Sequence, residues 1–379
     1  MNQITRRKLT LSLITAGILS QFIDQLARSS SIARQLVGAI RWDAWYDPAD
    51  GNVARAVERS LGPHEYHSRM PFFGQETGYD SVRINGKSQS VIDKEISYSR
   101  ISGIDYWAFC SYPHGNSMNN ALDLYLNSKF REDIGFCLIS TLDSNLPYYI
   151  SGRERLIALI AEPGYVKVLN DRPLLYLFSA PDDQIDREGG IVNVANWVQA
   201  IRSGVRLQGS GDPYIVILDA NIARAAELCR ILNLDGISQY ATTGGPLGGA
   251  PYSTLVKHTE DVWDEMASTG LQVVPNIMTG WDTRPRQQNP VPWDHQRVPE
   301  KKENHFYQQA RPEEIAGHIS DALSWISKHP DVAVAETALV YAWNECDEGF
   351  GALVPSFLSD DPDGDSSRLR AVATVLRRR

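Results

Sequence analysis

After residue 35, short apolar runs alternate along the chain with longer segments in which apolar positions recur every three or four residues. The second pattern is typical of amphipathic helices, and nearly continuous apolar runs are typical of strands buried on both faces of a sheet. Strands are predicted at residues 36–42, 104–109, 135–141, 173–178, 214–219, 236–240, 272–279 and 338–343. Helices are predicted between them at residues 153–161, 192–202, 222–232, 254–269 and 312–328.

This alternation predicts an α/β fold, a single (β/α)8 TIM barrel over residues 36–379. A doubly wound open sheet is the alternative, but no G-x-G-x-x-G motif follows the first strand and no P-loop motif occurs. The chain is longer than a basic barrel of roughly 250 residues. Polar insertions at residues 43–99, 240–253 and 281–311 account for much of the excess, and we expect them to surround an active site at the carboxyl ends of the strands.

Residues 1–35 are predicted to be a leader outside the barrel. Arg6 and Arg7 precede an apolar stretch at residues 9–23, which is too short to span a bilayer and suits the apolar region of a signal peptide. The pair resembles a twin-arginine export signal, and residues 31–33 offer a small-x-small cleavage site. We expect export to the periplasm or beyond and no membrane span after removal of the leader. An amphipathic leader helix that stays attached is the alternative.

Composition narrows the classes of partner. The chain has 37 basic and 46 acidic residues, a net charge of −9. Nucleic acid is therefore not an expected partner, because phosphate-binding proteins usually carry a basic surface. The four cysteines form no C-x-x-C pair, and the histidine spacing fits no zinc pattern, so free thiols are expected.

Polar and aromatic residues follow the predicted strands, where a barrel carries its chemistry. Sugars are bound by this mixture, since carboxylates and amides accept from hydroxyls and aromatic rings pack on C–H faces. The candidate substrate-binding residues are Asp43, Trp45, Tyr46, Tyr112, His114, Asp143, Tyr240, Trp281, Asp282, Arg284 and Asn344. Each one alone has a structural alternative, because an aspartate after a strand is often a helix cap and an aromatic residue often closes the core.

The densest cluster of acids follows the eighth strand, where Glu345, Asp347 and Glu348 lie within four residues and Gly349 permits a turn. Glu345 and Glu348 are three residues apart, which places both on one side if the segment turns like the start of a helix. Two carboxylates that face a common space are the groups needed for glycosidic cleavage. An exposed acidic loop and a calcium site are the alternatives.

The segment Trp343-Asn344-Glu345-Cys346-Asp347-Glu348-Gly349 resembles the W-N-E-W-x-E-G stretch of the glycoside hydrolase family 99 and WbsX-like group. Residues 103–109 and 171–176 are similar to two strands of that family, and residues 281–286 (WDTRPR) are similar to its W-D-N-T-P-R element. The opening strand at residues 37–40, with Trp45 and Tyr46 after it, resembles the opening strand of that family. All these segments follow one another in the same order as in the family. The resemblance covers about residues 36–358.

The resemblance implies a (β/α)8 barrel that cleaves α-mannosidic linkages with retention and needs no metal or organic cofactor. It implies that Glu345 is the base, which removes the proton of the sugar 2-hydroxyl so that this oxygen attacks C1 and forms a 1,2-anhydro sugar. It implies that Glu348 is the acid/base. The chain departs from the family at Cys346, which replaces an aromatic residue, at Asp347, which adds a third acid, and at Thr283, which replaces asparagine.

The sequence and the resemblance together predict an exported glycoside hydrolase that acts on a polysaccharide or glycan. Three other functions are alternatives to it. The first is a glycosyltransferase or transglycosylase of polysaccharide assembly, which would use the same two glutamates. The second is a non-catalytic carbohydrate-binding barrel, which the presence of both glutamates disfavours. The third is a cysteine nucleophile at Cys346, which its acidic neighbours disfavour because they raise the thiol pKa.

Overall fold

The computed structural model describes residues 34–47, 51–142, 146–187, 189–246, 248–294, 306–349 and 351–377. Residues 1–33 lie outside these ranges, so the leader and its export signal stay predictions. Within the described ranges, none of the helices combines the length and the apolar character needed to cross a membrane.

The strands of the described residues are β1 (Leu36–Arg41), β2 (Gly74–Gly78), β3 (Ser81–Ile84), β4 (Tyr106–Cys110), β5 (Gly135–Thr141), β6 (Lys167–Val168), β7 (Arg172–Phe178), β8 (Tyr214–Leu218), β9 (Gly236–Ser238), β10 (Gln272–Val273), β11 (Asn276–Met278), β12 (Thr337–Tyr341), β13 (Ser356–Leu358) and β14 (Asp361–Asp365). The helices are α1 (Asn52–Ser60), α2 (Gln89–Ser102), α3 (Asn120–Asn127), α4 (Leu146–Ile160), α5 (Asp182–Arg187), α6 (Ile191–Leu207), α7 (Ile222–Ile231), α8 (Tyr252–Ser268), α9 (Arg284–Gln288), α10 (Pro312–Lys328) and α11 (Ser367–Leu376).

A parallel sheet runs in the order β10-β9-β8-β7-β5-β4-β1-β12-β11. Its two end strands, β10 and β11, are consecutive pieces of one chain segment, separated only by Val274 and Pro275. The N–H of Val274 donates to Ile237 on β9 (3.1 Å), and the carbonyl of Pro275 accepts from Leu339 on β12 (3.0 Å). The sheet therefore closes on itself, and the predicted α/β barrel is confirmed.

The predicted seventh strand is corrected by this closure. Residues 272–279 form two short strands, because Pro275 has no N–H to donate to a ladder and the chain bends there to pair with β9 first and β12 afterwards. The other predicted strands agree with the structure to within a few residues at each end, and α10 has the predicted bounds.

The barrel interior is filled by side chains. Tyr106 on β4 reaches across it, and its hydroxyl lies 3.0 Å from that of Tyr176 and 2.9 Å from that of Thr337. A Cβ at Gly38 on β1 would overlap the ring of Tyr106, so the glycine provides the space for this crossing.

The first insertion, residues 43–99, carries structure that the sequence patterns did not predict. It contains α1, the antiparallel hairpin of β2 and β3, and most of α2, which ends at Gly103 with a φ of 82°. Helix α2 places Glu95, which is fully buried, behind the carboxyl ends of the neighbouring strands. The insertion therefore packs against the strand ends, where Glu95 accepts hydrogen bonds from Arg41 and Trp343.

Candidate active site

The chain after β12 forms a tight turn at the carboxyl end of the barrel. Trp343 donates its backbone N–H to Ile40 (2.8 Å) and its indole Nε1–H to Glu95 (2.7 Å), so the start of the turn is fixed from two sides. The N–H of Gly349 closes the turn by donating to the carbonyl of Glu345 (2.6 Å). A Cβ at Gly349 would lie 2.7 Å from that carbonyl oxygen, so this close approach of the backbone requires glycine.

Glu345 is buried, with 3% of its surface exposed. Its Oε1 accepts a hydrogen bond of 2.7 Å from the hydroxyl of Tyr240. Its Oε2 lies 3.6 Å from Nη2 of Arg286 and has no hydrogen-bond donor among the described residues. Burial and the nearby charge of Glu348 raise the pKa of Glu345 well above its usual value, although Arg286 opposes the shift.

Glu348 lies on the same side of the turn and is more accessible, with 14% of its side chain exposed. Its Oε1 accepts a hydrogen bond of 2.6 Å from the hydroxyl of Tyr341, and its Oε2 pairs with Nη1 of Arg286. The contacts of Glu345 and Glu348 with one guanidinium bring the two carboxylates to a shared space.

Arg286 and Asp347 form the electrostatic centre of the turn. The guanidinium donates to Asp347 twice, from Nε (2.8 Å) and from Nη2 (3.0 Å), and Ser60 on α1 also donates to this carboxylate (3.1 Å). Burial alone would lower the pKa of Arg286, but the charges of Asp347 and Glu348 raise it well above its ordinary value. Arg286 thus compensates the negative charges of the clustered acids.

Two predicted site residues, Asp43 and Asn344, form a buried link between the ends of β1 and β12. Asn344 donates to Oδ1 of Asp43 (2.9 Å) and accepts from the backbone N–H of Trp42 (3.0 Å). Asp43 is also paired with Arg41 (2.9 Å). Burial raises the pKa of Asp43, and the charge of Arg41 opposes that rise. These residues hold the strand ends in register beneath the turn.

The structure places Trp45 and Tyr46 in the core, fully buried. A short 3₁₀ helix at Ala44–Tyr46 turns both rings inward. Trp45 donates to the carbonyl of Asn344 (2.8 Å), and the Tyr46 hydroxyl donates to Glu95. In this structure the two rings support the turn and have no exposed surface for a substrate.

Trp281 and Asp282 lie in the loop after β11, and Arg284 begins the short helix α9 that carries Arg286. Asp282 is fully buried and pairs with Arg69 (2.5 Å) and Arg284 (2.6 Å). Burial would raise the pKa of Asp282, but the hydrogen bonds from Arg284 and the charge of Arg69 keep it below its usual value. Its N–H donates to the carbonyl of Glu348 (2.8 Å), which joins this loop to the acidic turn.

Partly exposed aromatic rings lie near the carboxylates. The indole of Trp42 donates to the hydroxyl of Tyr112 (2.8 Å), lies edge-on to Trp293 at 5.3 Å and faces the guanidinium of Arg286 at 5.4 Å. Tyr240 is also partly exposed, whereas Trp281 is buried against Tyr341 at 5.9 Å.

Of the remaining residues singled out by the sequence, His114 is exposed on the loop after β4. Asp143 lies outside the described residues. Cys346 is buried, and burial followed by the charge of Asp347 raises the pKa of its thiol well above the usual value, which disfavours a thiolate nucleophile.

Three residues with a clear part in the site were not predicted. Arg286 stands in the W-D-x-x-P-R element, but its function as a counter-ion follows only from the fold. Tyr341 is the last residue of a buried strand, so its pattern indicated core packing. Glu95 lies on a helix of an insertion that was predicted as loop.

Neither a family model nor a curated protein matches the chain. Among solved structures, one of the family 99 endo-α-mannosidase from Bacteroides thetaiotaomicron is 13% identical, with a TM-score of 0.51 over 90% of this chain and 96% of that one. A second structure of an endo-α-mannosidase of the same description, in complex with Bis-Tris-propane, is 14% identical, with a TM-score of 0.52 over 91% of this chain and 97% of that one. The resemblance in the sequence is therefore found again in the coordinates: the chain has a glycosidase-like barrel fold similar to that of the glycoside hydrolase family 99 endo-α-mannosidase.

Proposed function

We propose that the protein is a glycoside hydrolase that cleaves glycosidic bonds in a polysaccharide or glycan. The observation that carries the proposal is the contact of Glu345 and Glu348 with the single guanidinium of Arg286, at the carboxyl end of a closed barrel. Two carboxylates at a shared space are the groups that glycosidic cleavage uses. The similarity in fold to an endo-α-mannosidase supports an α-mannoside as the first substrate class to test.

In the proposed reaction, Glu345 removes the proton of the sugar 2-hydroxyl, and this oxygen attacks C1. Glu348 donates a proton to the leaving oxygen as the glycosidic bond breaks, which gives a 1,2-anhydro sugar. Glu348 then removes a proton from water, the water oxygen attacks C1, and Glu345 returns its proton to O2. Both attacks invert C1, so the configuration is retained overall.

The contacts of Glu345 suit a base for a hydroxyl. Its Oε1 is held by Tyr240, while Oε2 is buried without a donor among the described residues, so a hydrogen bond from the hydroxyl of a bound sugar would satisfy it. A raised pKa also makes its carboxylate a stronger base than an ordinary glutamate.

The two roles require one proton for the pair, carried by Glu348 while Glu345 is ionised. In the free protein, burial and the charge of Glu348 favour the proton on Glu345. Binding of a sugar whose 2-hydroxyl donates to Glu345 stabilises the ionised form of that residue and leaves the proton to Glu348. The pH dependence of the reaction then belongs to the pair and not to either residue alone.

The partly exposed rings of Trp42, Tyr112 and Tyr240 supply flat apolar faces for the C–H side of a sugar. Trp42 is held by its hydrogen bond to Tyr112 and by the guanidinium of Arg286. We assign substrate binding to these rings together with the exposed His114, and a supporting role to Asp43, Asn344, Asp282 and Arg284.

We also propose that residues 1–35 direct export through the twin-arginine route. A reporter fused to this segment is expected outside the cytoplasm, and replacement of both Arg6 and Arg7 by lysine is expected to retain it inside. A reporter that remains in the cytoplasm with the unchanged segment overturns this part of the proposal.

The hydrolase proposal is tested by incubating the purified protein with mannans, other polysaccharides and bacterial glycans, and measuring released sugars. Glu348→Gln is the matched control, because it keeps the volume of the side chain and removes the proton donor. Release by the wild-type protein alone supports the proposal. Equal release by both proteins, or transfer of sugar to acceptors without hydrolysis, overturns it.

A further inference from the structure

A second set of polar side chains lies in the first insertion, apart from the acidic turn. The 3₁₀ helix His64–Arg69 carries His64 and His67 three residues apart, and side chains at that spacing lie over one another on one face of a 3₁₀ helix. Glu76, on strand β2 of the hairpin, faces them. One ring nitrogen of each histidine and one carboxylate oxygen of Glu76 all lie within 4.8 Å of one another.

His67 is oriented as metal-binding histidines are. The ring is buried, and its Nε2 lies 2.8 Å from the carbonyl oxygen of Gly62, which can only accept a hydrogen bond. Nε2 is therefore the protonated nitrogen, and the lone pair of Nδ1 points toward Oε1 of Glu76 at 2.8 Å. Two acceptors at this distance repel unless a proton or a cation lies between them. A ring N–H donated to a backbone carbonyl is the usual support of a metal-binding imidazole.

We propose that His64, His67 and Glu76 bind one Zn²⁺ ion, with water as the fourth ligand. Two imidazoles and a carboxylate are a preferred ligand set of this ion. Ligands about 2.1 Å from a tetrahedral ion are about 3.4 Å apart. The Nδ1–Oε1 pair must open by roughly half an ångström, and the Glu76 side chain, 42% exposed, is free to make this movement.

The ion would join the 3₁₀ helix to the β2–β3 hairpin. The same helix carries Arg69, which pairs with Asp282 in the loop directly before α9, the helix that carries Arg286. Zn²⁺ therefore stabilises the insertion that supports the acidic turn. The proposal stands independently of the hydrolase activity.

The test measures the melting temperature of the full chain after removal of metal with a chelator, with and without added Zn²⁺. We expect Zn²⁺ to raise the melting temperature of the wild-type protein and to bind with a stoichiometry of one by calorimetry. His64→Ala and Glu76→Gln should lose this rise. Both side chains lie at the surface, so both variants are expected to fold. Glu227→Gln, an exposed acid on α7, is the matched control and should keep it.

Cobalt provides a second measurement, since Co²⁺ in a tetrahedral site absorbs strongly in the visible range. We expect this absorption in the wild-type protein and in Glu227→Gln, but not in the two ligand variants. An unchanged Zn²⁺ response in His64→Ala and Glu76→Gln overturns the proposal, because the ion then binds elsewhere. A loss of stability in Glu76→Gln that is the same with and without Zn²⁺ also overturns it, in favour of an imidazolium–carboxylate pair.

Discussion

Asp347 binds Arg286 through two parallel hydrogen bonds, from Nε to Oδ2 (2.8 Å) and from Nη2 to Oδ1 (3.0 Å). This bidentate geometry fixes the plane of the guanidinium. Nη1 is thereby directed at Glu348, and Nη2 lies 3.6 Å from Oε2 of Glu345. The third acid of the turn is therefore a positioning residue, which sets the place of the cation that the two proposed catalytic residues share.

Arg286→Met should destabilise the protein, because it leaves buried carboxylates without a counter-ion. We expect a loss of about 3–5 kcal/mol in the free energy of unfolding at pH 7. The loss should be smaller at a lower pH than at pH 7, since the raised pKa of Glu345 favours its neutral form, which reduces the repulsion between the acids. Denaturant unfolding at the two pH values measures both effects.

The double variant Arg286→Met/Asp347→Asn tests whether the two residues act as a unit. Residues in direct contact show non-additive losses. We expect the double variant to be less destabilised than the sum of the single ones. Additive losses in the same unfolding experiment would show that the pair carries no coupling energy.

Glu345→Gln and Glu348→Gln should each lower kcat for glycan cleavage by about 10²–10⁴-fold, the usual contribution of an acid or base. The two variants should differ on aryl glycosides with a good leaving group. Glu348→Gln should still release the aryl group in the first step because little protonation is needed, and only its second step, the attack of water, should be slow. Glu345→Gln should release no aryl group. Full activity of either variant on the natural glycan would contradict the assignment.

Tyr240→Phe removes the hydrogen bond that favours the ionised form of Glu345, so the pKa of Glu345 rises further. In the free protein the proton that the pair shares lies on Glu345, so the basic limb of kcat/KM, where this proton is lost, should move to higher pH. A hydrogen bond to a charged group is worth about 1.5–3 kcal/mol, which corresponds to a shift of about one to two pH units. Tyr112→Phe is the control, and a limb that moves equally in both variants would exclude a specific effect of Tyr240.

The strands were predictable because a barrel strand is buried on both faces, and the runs at residues 135–141 and 173–178 are apolar almost throughout. The acidic turn was predictable because all its members are close in sequence. Arg286 and Glu95 were not, since each meets the turn through contacts between residues 61 or more positions apart. Helix α2 was missed because few apolar residues, Ile92 and Ile96 among them, mark its buried face.

His318 on α10 is buried against Trp263, and neither ring nitrogen has a hydrogen-bond partner among the described residues. Burial lowers its pKa from 6.5 to about 3. Between these pH values the unfolded chain binds a proton at this histidine and the folded protein does not. The contribution of the neutral His318 to the free energy of unfolding is therefore complete above pH 6.5 and is lost as the pH falls towards 3. The loss from this one residue reaches up to about 5 kcal/mol at the acid end.

His318→Phe should flatten the dependence of the unfolding free energy on pH between about 4 and 6.5, which lies between the folded and unfolded pKa values of the histidine. The phenyl ring still stacks on Trp263 but takes up no proton. His329→Phe is the matched control, as it also keeps a ring beside a tryptophan, Trp325. An equal change in both variants would contradict the role given to His318.

The claim that Glu345 and Glu348 cleave a glycosidic bond through the 2-hydroxyl of the sugar is tested most directly by initial rates on two matched substrates. One is the α-mannoside or other glycoside that the protein cleaves, and the other is its 2-deoxy analogue. The analogue is chemically the more labile of the two, but it lacks the oxygen that attacks C1. We predict hydrolysis of the parent glycoside and none of the analogue, which should still inhibit; hydrolysis of the analogue at a comparable rate would contradict the mechanism.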